Sequence, residues 1–253
     1  MKYAFAGDRI ISYNILKFII SKGYKPSALF VSDGINASHS EDLIHLSELE
    51  DSKVFRGNEF KNIENINKLK KLDLDYIFGI HFPYIIPKEV IETPNIGFLN
   101  LHPSYLPYNK GWHTPTWAIL DKKPYGATLH FMIEALDQGD IIHQKQIEVL
   151  QSDTANSLYK RVLQLEEEVF KEAFEGLASL KPKSHKQQSK GTSHNKKDLQ
   201  KIQELDLHQN QNVGKLIDKL RALTTNKNSE AAFFVSNGKR IGIKIEMFEI
   251  EEE

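Results

Sequence analysis

Residues 3–34, YAFAGDRIISYNILKFIISKGYKPSALFVSDG, decide the fold class of this chain. A short apolar run at the start ends at Gly7, and residues 9–22 then carry apolar side chains at helical spacing. A second short apolar run, residues 28–31, follows. Strand, helix and strand in this order predict a βαβ unit with two parallel strands.

The rest of the first two thirds of the chain continues the alternation. Residues 74–80 and 96–102 are predicted strands, residues 127–133 and 141–149 a strand–loop–strand pair, and a long helix begins at Asp153. Residues 38–71 are predicted to form short helices and loops. We expect an α/β, Rossmann-like fold: a mostly parallel twisted sheet with helices on both faces, plus a small C-terminal helix and β-hairpin appendage.

The composition changes at Lys181, which suggests three segments. Residues 1–180 form the main domain, and residues 181–212 form a linker that begins with a lysine-rich stretch. Residues 213–253 contain a short amphipathic helix and a hairpin with an Asn237-Gly238 turn. Because a lone hairpin is marginally stable in water, it must pack on the parent domain or on a second copy of the chain.

The overall composition narrows the function classes. Of 253 residues, 33 are Lys or Arg and 34 are Asp or Glu, so the formal net charge is −1. This balance argues against a generally basic nucleic-acid coat, and the absence of cysteine excludes thiolate metal sites and cysteine nucleophiles. With no signal-peptide pattern and no apolar run long enough to span a bilayer, we expect a cytoplasmic protein without nucleic-acid or membrane partners.

Three polar residues form a candidate catalytic set. Asn100 and His102 lie two apart at the end of a predicted strand, so their side chains project from the same face. Asp137 lies in a loop after a later strand and can approach the same edge of the sheet. An amide, an imidazole and a carboxylate can serve acyl transfer, because they stabilise an oxyanion and move a proton.

The surrounding string resembles the formyltransferase family that uses 10-formyltetrahydrofolate. The matching elements are Asn100-Leu101-His102, the turn at residues 104–107, Gly111, Pro115, Gly126-Ala127-Thr128 and residues 136–141. The resemblance implies that Asn100, His102 and Asp137 are the catalytic residues of a direct transfer from N10-formyltetrahydrofolate to an amine, without a metal. Asn100, alone or together with His102, would stabilise the oxyanion, and either His102 or Asp137 would take the amine proton.

Within that family, the chain is most similar to the sugar N-formyltransferases of bacterial surface polysaccharide (O-antigen) synthesis. About fifty residues follow Lys201, too few for the β-barrel that initiator-tRNA formyltransferases carry. Residues 108–117 resemble enzymes acting on dTDP-4-amino-4,6-dideoxyglucose, although Lys110 stands where the common form has Arg. The tail also resembles that group, which implies a homodimer formed through the hairpin.

Binding residues are predicted for both substrates. The folate donor is expected in an apolar slot made by a proline-bounded loop and the loop around Asp137: Phe82, Tyr84, Ile85, Ile86, Pro87, Leu136 and Asp140. The nucleotide sugar is expected at the start of the first helix, where free N–H groups favour anions, and just after the catalytic strand. Its predicted contacts are Asp8, Arg9, Ser12, His81, Ser104, Lys110, Trp112 and His113.

Several alternatives stay open at this point. The acceptor could be a dTDP-3-amino sugar, a UDP sugar or another amine. A metal hydrolase could use histidines and acids in the same region, namely His81, His102, His113, His130, His143, Asp137 and Asp140. A non-enzymatic nucleotide-binding protein is the third possibility, supported only by the lysine-rich segment.

Overall fold

The computed structural model describes residues 1–250. In this part of the chain the strands are β1 (Tyr3–Gly7), β2 (Ala28–Val31), β3 (Val54–Arg56), β4 (Tyr76–Ile80), β5 (Gly97–His102), β6 (Lys110–Gly111), β7 (Tyr125–Phe131), β8 (Ile141–Ile147), β9 (Ser193–His194), β10 (Ala232–Ser236) and β11 (Lys239–Ile243). The α-helices are α1 (Arg9–Ser21), α2 (Ser40–Ser47), α3 (Ile63–Lys71), α4 (Lys88–Ile91), α5 (Thr114–Asp121), α6 (Ala155–Ala178), α7 (Gln200–Gln203) and α8 (Val213–Ala222). Short 3-10 helices occur at Gly34–Asn36, Asp51–Lys53, Glu59–Lys61, Lys196–Leu199 and Asn228–Glu230.

Seven strands form the central sheet in the order β3-β2-β1-β4-β5-β7-β8. The first five strands in this order pair in parallel, and β7 pairs antiparallel with β5. β10 and β11 form a separate antiparallel hairpin. The predicted mostly parallel α/β fold with a C-terminal hairpin is therefore confirmed. None of the helices in residues 1–250 is long and apolar enough to cross a membrane.

The central strands are buried along their whole length. Every residue of β1, β2 and β4 is buried, as expected for parallel strands that are covered on both faces. One side of this core is aromatic, where the rings of Phe30 and Phe60 stack with centroids 5.4 Å apart. Full burial of one such ring contributes about 1.5–3 kcal/mol, so this layer is a main source of stability.

Helix α1 follows the predicted pattern. Ile11, Ile15 and Ile19 form its buried stripe, at the spacing that places them on one face. The helix ends where Gly23 adopts a left-handed conformation with φ +87°, which glycine reaches without steric cost.

Two local predictions were incomplete. Residues 38–71 contain the edge strand β3, which was missed because it has three residues and no alternating pattern of its own. Its partners on β2 stabilise it as the outermost strand of the sheet. The apolar pattern of the hairpin's second strand, residues 239–248, predicts a strand to Phe248, whereas β11 ends at Ile243.

The chain divides into two compact units. Unit 1 comprises Met1–His102, Thr128–Gln144 and Glu166–Gln188, and unit 2 comprises Pro103–Ala127, Lys145–Leu165 and the residues from Ser189 onward. The predicted linker, residues 181–212, contains the short elements β9 and α7. The domain boundaries at residues 180 and 212 stay predictions.

Arg221 on α8 connects several parts of unit 2. Its side chain is buried, its Nε donates to Asp218 Oδ1 at 2.9 Å, and its Nη1 donates to the carbonyl oxygens of Leu150 at 3.0 Å and Asp153 at 3.1 Å. Burial acts to raise the pKa of Asp218, but the hydrogen bonds from Lys122 and Arg221 outweigh it and hold this pKa below its usual value. Arg221 thus satisfies buried acceptors that only a multivalent donor can reach.

We expect Arg221→Leu to lower the free energy of unfolding by about 3 kcal/mol, because it leaves buried carbonyl oxygens without a donor. Lys122→Leu is the control, since Lys122 contacts the same Asp218 at 3.0 Å from an exposed position. The control should change stability by less than about 1 kcal/mol. Urea denaturation followed by circular dichroism measures both, and equal effects of the two substitutions would contradict this role of Arg221.

Candidate active site

Strand β5 presents three side chains of interest on one face. Phe98, Asn100 and His102 alternate along it, so they project in the same direction at intervals of about 7 Å. His102 is the last residue of β5 and lies at the carboxyl edge of the parallel strands, where α/β sheets bind their ligands. The antiparallel partner β7 places His130 directly opposite Asn100.

The loop after β7 brings Asp137 to the same place. Its Oδ2 lies 3.5 Å from His102 Nε2, and its Oδ1 lies 3.7 Å from His130 Nε2. Both separations are longer than an ordinary hydrogen bond. His102 and Asp137 are each more than nine-tenths buried, so they interact in a partly dehydrated environment. The structure therefore brings the three predicted residues together, with His130 among them.

Contacts with both ring nitrogens orient the imidazole of His130. Its Nδ1 lies 2.8 Å from the carbonyl oxygen of Phe131, which can only accept, so Nδ1 carries the hydrogen. Its Nε2 then accepts from Asn100 Nδ2 at 3.2 Å. The sequence analysis had considered His130 only as a possible metal ligand. The sequence shows that His130 alternates with Thr128 along a strand. Its position opposite Asn100 depends on the pairing register of β5 and β7, which no local sequence pattern shows.

A groove of about 430 Å³ lies in unit 1 at the amino-terminal end of β5, and Asn100, His102, His130 and Asp137 are not among its lining residues. Its walls include Ile91, Phe98, Phe131, Met132, Ile133 and Glu134. Phe98 belongs to the same face of β5 as Asn100, so the groove and the polar set follow one strand face. The groove is mainly apolar, with acidic and basic side chains (Glu92, Glu134, Lys88) among its lining.

The residues predicted to bind the folate donor are not among the residues that line this groove. In the sequence, they lie just before or just after the segments that form its walls. Phe82 and Tyr84 pack against Phe60, and the Tyr84 hydroxyl donates to Asp33, where burial and then this carboxylate raise the pKa of Tyr84. Ile85 and Leu136 are exposed, Ile86 is buried, Pro87 precedes α4, and the carbonyl of Asp140 accepts from Phe131 N at 2.9 Å.

The residues predicted at the start of α1 mainly contact the backbone of unit 1. The Ser12 hydroxyl contacts the carbonyl oxygens of Asp8 and Ile80, and it accepts from the Asp8 amide. The Asp8 carboxylate is fully buried and accepts from the amides of Ser38 and His39. Arg9 is half-exposed with its Nε 3.5 Å from this carboxylate. Among Asp8, Arg9 and Ser12, Arg9 is therefore the residue whose charged group is exposed to solvent.

His81, also predicted to bind the sugar, follows β4 and forms a buried pair. Its Nε2 lies 2.9 Å from both carboxylate oxygens of Glu166, and the Glu166 side chain is fully buried. A buried carboxylate is normally found with such a partner, because an unpaired one is strongly destabilising. Glu166 lies on α6, and no local pattern of the sequence predicts this pairing.

The remaining predicted sugar contacts belong to unit 2. Ser104 and Lys110 are buried, and Lys110 Nζ donates to the carbonyl oxygen of Lys190 at 3.2 Å. Trp112 is about half exposed, and Lys196 Nζ lies 4.9 Å from its ring centroid. Burial lowers the pKa of His113, an effect that nearby Glu230 partly offsets. Within residues 1–250, no group of three or more histidines and acids is arranged to hold a metal ion.

Comparison with known protein families identifies the class. Residues 32–174 match the formyl transferase family, and residues 198–249 match the N-formyltransferase dimerization C-terminal domain. Because the first match covers more than half of the chain, the chain belongs to the formyl transferase family and is a formyl-transfer enzyme. The resemblance drawn from the sequence is confirmed, and the metal-hydrolase and non-enzymatic interpretations are set aside.

Individual relatives are sugar N-formyltransferases. The dTDP-4-amino-4,6-dideoxyglucose formyltransferase of Mycobacterium bovis is 28% identical over 171 residues, which cover 68% of this chain and 72% of that protein. The crystal structure of a 4-N formyltransferase from Francisella tularensis has a TM-score of 0.82 at 26% identity and covers 98% of both chains. The N-formyltransferase from Helicobacter canadensis, in complex with folinic acid and dTDP-3-aminofucose, shares the fold, with a TM-score of 0.69, 23% identity and coverage of 95% and 86%.

Proposed function

We propose that this enzyme transfers a formyl group from N10-formyltetrahydrofolate to the amine of a dTDP-linked amino-dideoxy sugar, with dTDP-4-amino-4,6-dideoxyglucose as the preferred acceptor. The observation that carries the proposal is the meeting of Asn100, His102 and Asp137 where the carboxyl end of β5 and the loop after β7 come together. The acceptor is supported by the Mycobacterium and Francisella relatives, and the folate donor by the ligand of the Helicobacter structure.

Asn100 is assigned to the oxyanion that forms when the amine attacks the formyl carbon. The Asn100 side-chain amide donates one Nδ2 hydrogen to His130 Nε2, and this bond restrains the rotation of the amide. The second Nδ2 hydrogen takes no part in this bond. A preorganised donor is more effective than a mobile one, because no reorganisation is needed as the charge develops. His130 is then a positioning residue for Asn100.

His102 and Asp137 are assigned to the proton that leaves the amine. They form a buried imidazole–carboxylate pair at 3.5 Å, and such a pair can receive a proton and share its charge. The amine nitrogen forms its bond to the formyl carbon and gives the tetrahedral oxyanion, which then expels N10 of the donor as the bond between the formyl carbon and N10 breaks. The amine proton passes to this pair and then to the leaving nitrogen, which balances the step.

We assign the folate ring to this groove, whose lining residue Phe98 precedes Asn100 by two positions on β5. Phe98, Met132 and Ile133 offer apolar walls for a flat ring, and the Glu134 carboxylate can accept hydrogen bonds from ring N–H groups. The earlier expectation that residues 82–87 bind the donor remains a prediction.

A dTDP-3-amino sugar is the second candidate acceptor, favoured by the ligand of the Helicobacter relative. The amine position and the base are decided by the panel experiment below. The place of the product in O-antigen or other surface-polysaccharide synthesis and the cytoplasmic location stay predictions of the resemblance.

We expect the purified enzyme to add one formyl group to a dTDP-4-amino sugar, with N10-formyltetrahydrofolate as donor, when dTDP- and UDP-linked 3- and 4-amino sugars are compared by mass spectrometry. Asn100→Ala, His102→Ala and Asp137→Ala should each lower kcat by about 100-fold or more, because each removes a group that acts on the reacting atoms. Near-normal turnover by all three variants, or no formylation of any sugar in the panel, would refute the proposal.

The role of His130 predicts a distinct kinetic effect. His130→Leu removes the acceptor that restrains Asn100 and should lower kcat about tenfold or more with little change in KM. His130→Gln should retain more activity, because its amide oxygen can accept from Asn100. His143 is a matched control, since it lies on β8 and pairs with Glu172 at 2.8 Å. If His143→Leu is as damaging as His130→Leu, the specific role of His130 is wrong.

We also propose that the chain forms a homodimer through its C-terminal hairpin. Val235 and Ile241 are about half exposed on β10 and β11, and Phe248 and Ile250 are largely exposed just beyond them. Apolar side chains gathered at one small element are typical of an interface. The match of residues 198–249 to a dimerization domain supports the same conclusion.

In light scattering, the protein should have twice the mass of one chain. Ile241→Lys should shift it to the monomer, because a charge at the centre of an apolar interface loses its hydration without gaining a partner. Ile63→Lys is the control, since Ile63 is an exposed isoleucine on α3. A dimer that persists in Ile241→Lys would place the interface elsewhere.

A further inference from the structure

Gln187 reaches the loop that carries Asp137. Its Nε2 donates to the carbonyl oxygen of Asp137 at 2.9 Å and to that of Gly139 at 3.0 Å. One amide group therefore uses both of its hydrogens to connect two carbonyl oxygens of a single loop. Gln187 belongs to the segment that the sequence analysis assigned to a linker, and all of these residues lie in unit 1.

The segment around Gln187 is itself fixed beside that loop. Ile141 and His185 form an antiparallel bridge, with Ile141 N donating to His185 O at 2.8 Å and His185 N donating to Ile141 O at 2.9 Å. Ile141 is the first residue of β8 and directly follows the Asp137 loop. Gln187 lies two residues after His185. The bridge therefore holds Gln187 close to the carbonyl oxygens of Asp137 and Gly139.

The Asp137 loop has a conformation that needs support from outside. Asp137 has φ +52°, in the left-handed region that is unfavourable for a residue with a Cβ by about 1–2 kcal/mol. Gly139 lies against Phe131, and a Cβ built on it would be 1.8 Å from the Phe131 carbonyl oxygen. Close packing on one side and a strained dihedral angle mean that the loop relies on its hydrogen bonds to keep this shape.

We infer that Gln187 is a positioning residue for the reaction: it holds the loop so that the Asp137 carboxylate keeps its distances to His102 and His130. The inference rests on the proposed function, because it takes Asp137 as a catalytic residue. The carboxylate lies 3.5 Å from one imidazole and 3.7 Å from the other, so a small rotation of the loop changes both contacts.

The chemistry of Gln187 explains why an amide serves this role. Both acceptors are carbonyl oxygens, so the side chain must supply two donors and no negative charge. Its Oε1 is buried without a hydrogen-bond partner in the described part of the chain, so the donated bonds are the contacts that this amide makes. A carboxylate of the same shape would repel both carbonyl oxygens and release the loop.

The direct test compares Gln187→Glu with Gln188→Glu. Gln188 is the exposed neighbour, so the control makes the same chemical and charge change one residue away. We expect Gln187→Glu to lower kcat about tenfold or more while KM for both substrates stays within about twofold, because the defect lies in alignment at the reacting atoms. Gln188→Glu should behave like the unmodified enzyme. Equal kinetics of the two variants would overturn the inference.

A double-mutant cycle separates positioning from a general structural defect. If Gln187 acts through Asp137, Gln187→Glu should change kcat by less than about twofold in an Asp137→Ala background. Independent effects would instead multiply, and a full tenfold loss in that background would show that Gln187 does not act through Asp137.

A third measurement does not depend on activity. Hydrogen–deuterium exchange of the peptide that covers residues 134–140 should be faster in Gln187→Glu than in Gln188→Glu, because the loop opens more often when its carbonyl oxygens lose their donor. Unchanged exchange would overturn the inference even if kcat fell. If the enzyme formylates no sugar in the panel, the proposed function fails, but faster exchange would still support the role of Gln187 in holding the loop. The failure of the proposed function and the failure of this inference are therefore distinguishable.

Discussion

The antiparallel register between β5 and β7 is the constraint on which the candidate site depends. It places His130 opposite Asn100, and it starts the loop that returns Asp137 to His102. Beside five parallel strands, the antiparallel strand β7 lets a strand end and a neighbouring loop meet at the same edge. A shift by one residue would turn Asn100 and His102 to the opposite face.

Several buried polar groups of unit 1 are committed to particular partners. His130 is restrained by the Phe131 carbonyl, Ser12 by the backbone of Asp8 and Ile80, and His81 by Glu166. Such commitments are expected, since an unsatisfied buried polar group is strongly unfavourable. They also explain how a site made of common residue types can be rigid, because each side chain is fixed by a second contact before any substrate binds.

The sequence predicted the fold class, the family and the candidate residues Asn100, His102 and Asp137. It did not predict several of the contacts that hold these residues in place. The strands and α1 followed from apolar periodicity, which is a local property. The three-residue strand β3 and the register of β7 were not visible, because both depend on pairing with distant segments. The prediction that residues 82–87 form the donor slot depends on the bound ligand and stays a prediction.

What the sequence determined by itself was the set of chemical groups and their local order: a strand ending in Asn100 and His102, an acid in a later loop, and enough apolar periodicity to specify an α/β sheet. Only the tertiary structure decided which other groups meet them. His130 and Gln187 come from a facing strand and from a presumed linker, and their contacts with Asn100 and the Asp137 loop arise from chain segments far apart in sequence. Side-chain contacts of this kind depend on register and on the return path of the chain, and neither leaves a periodic trace in the sequence.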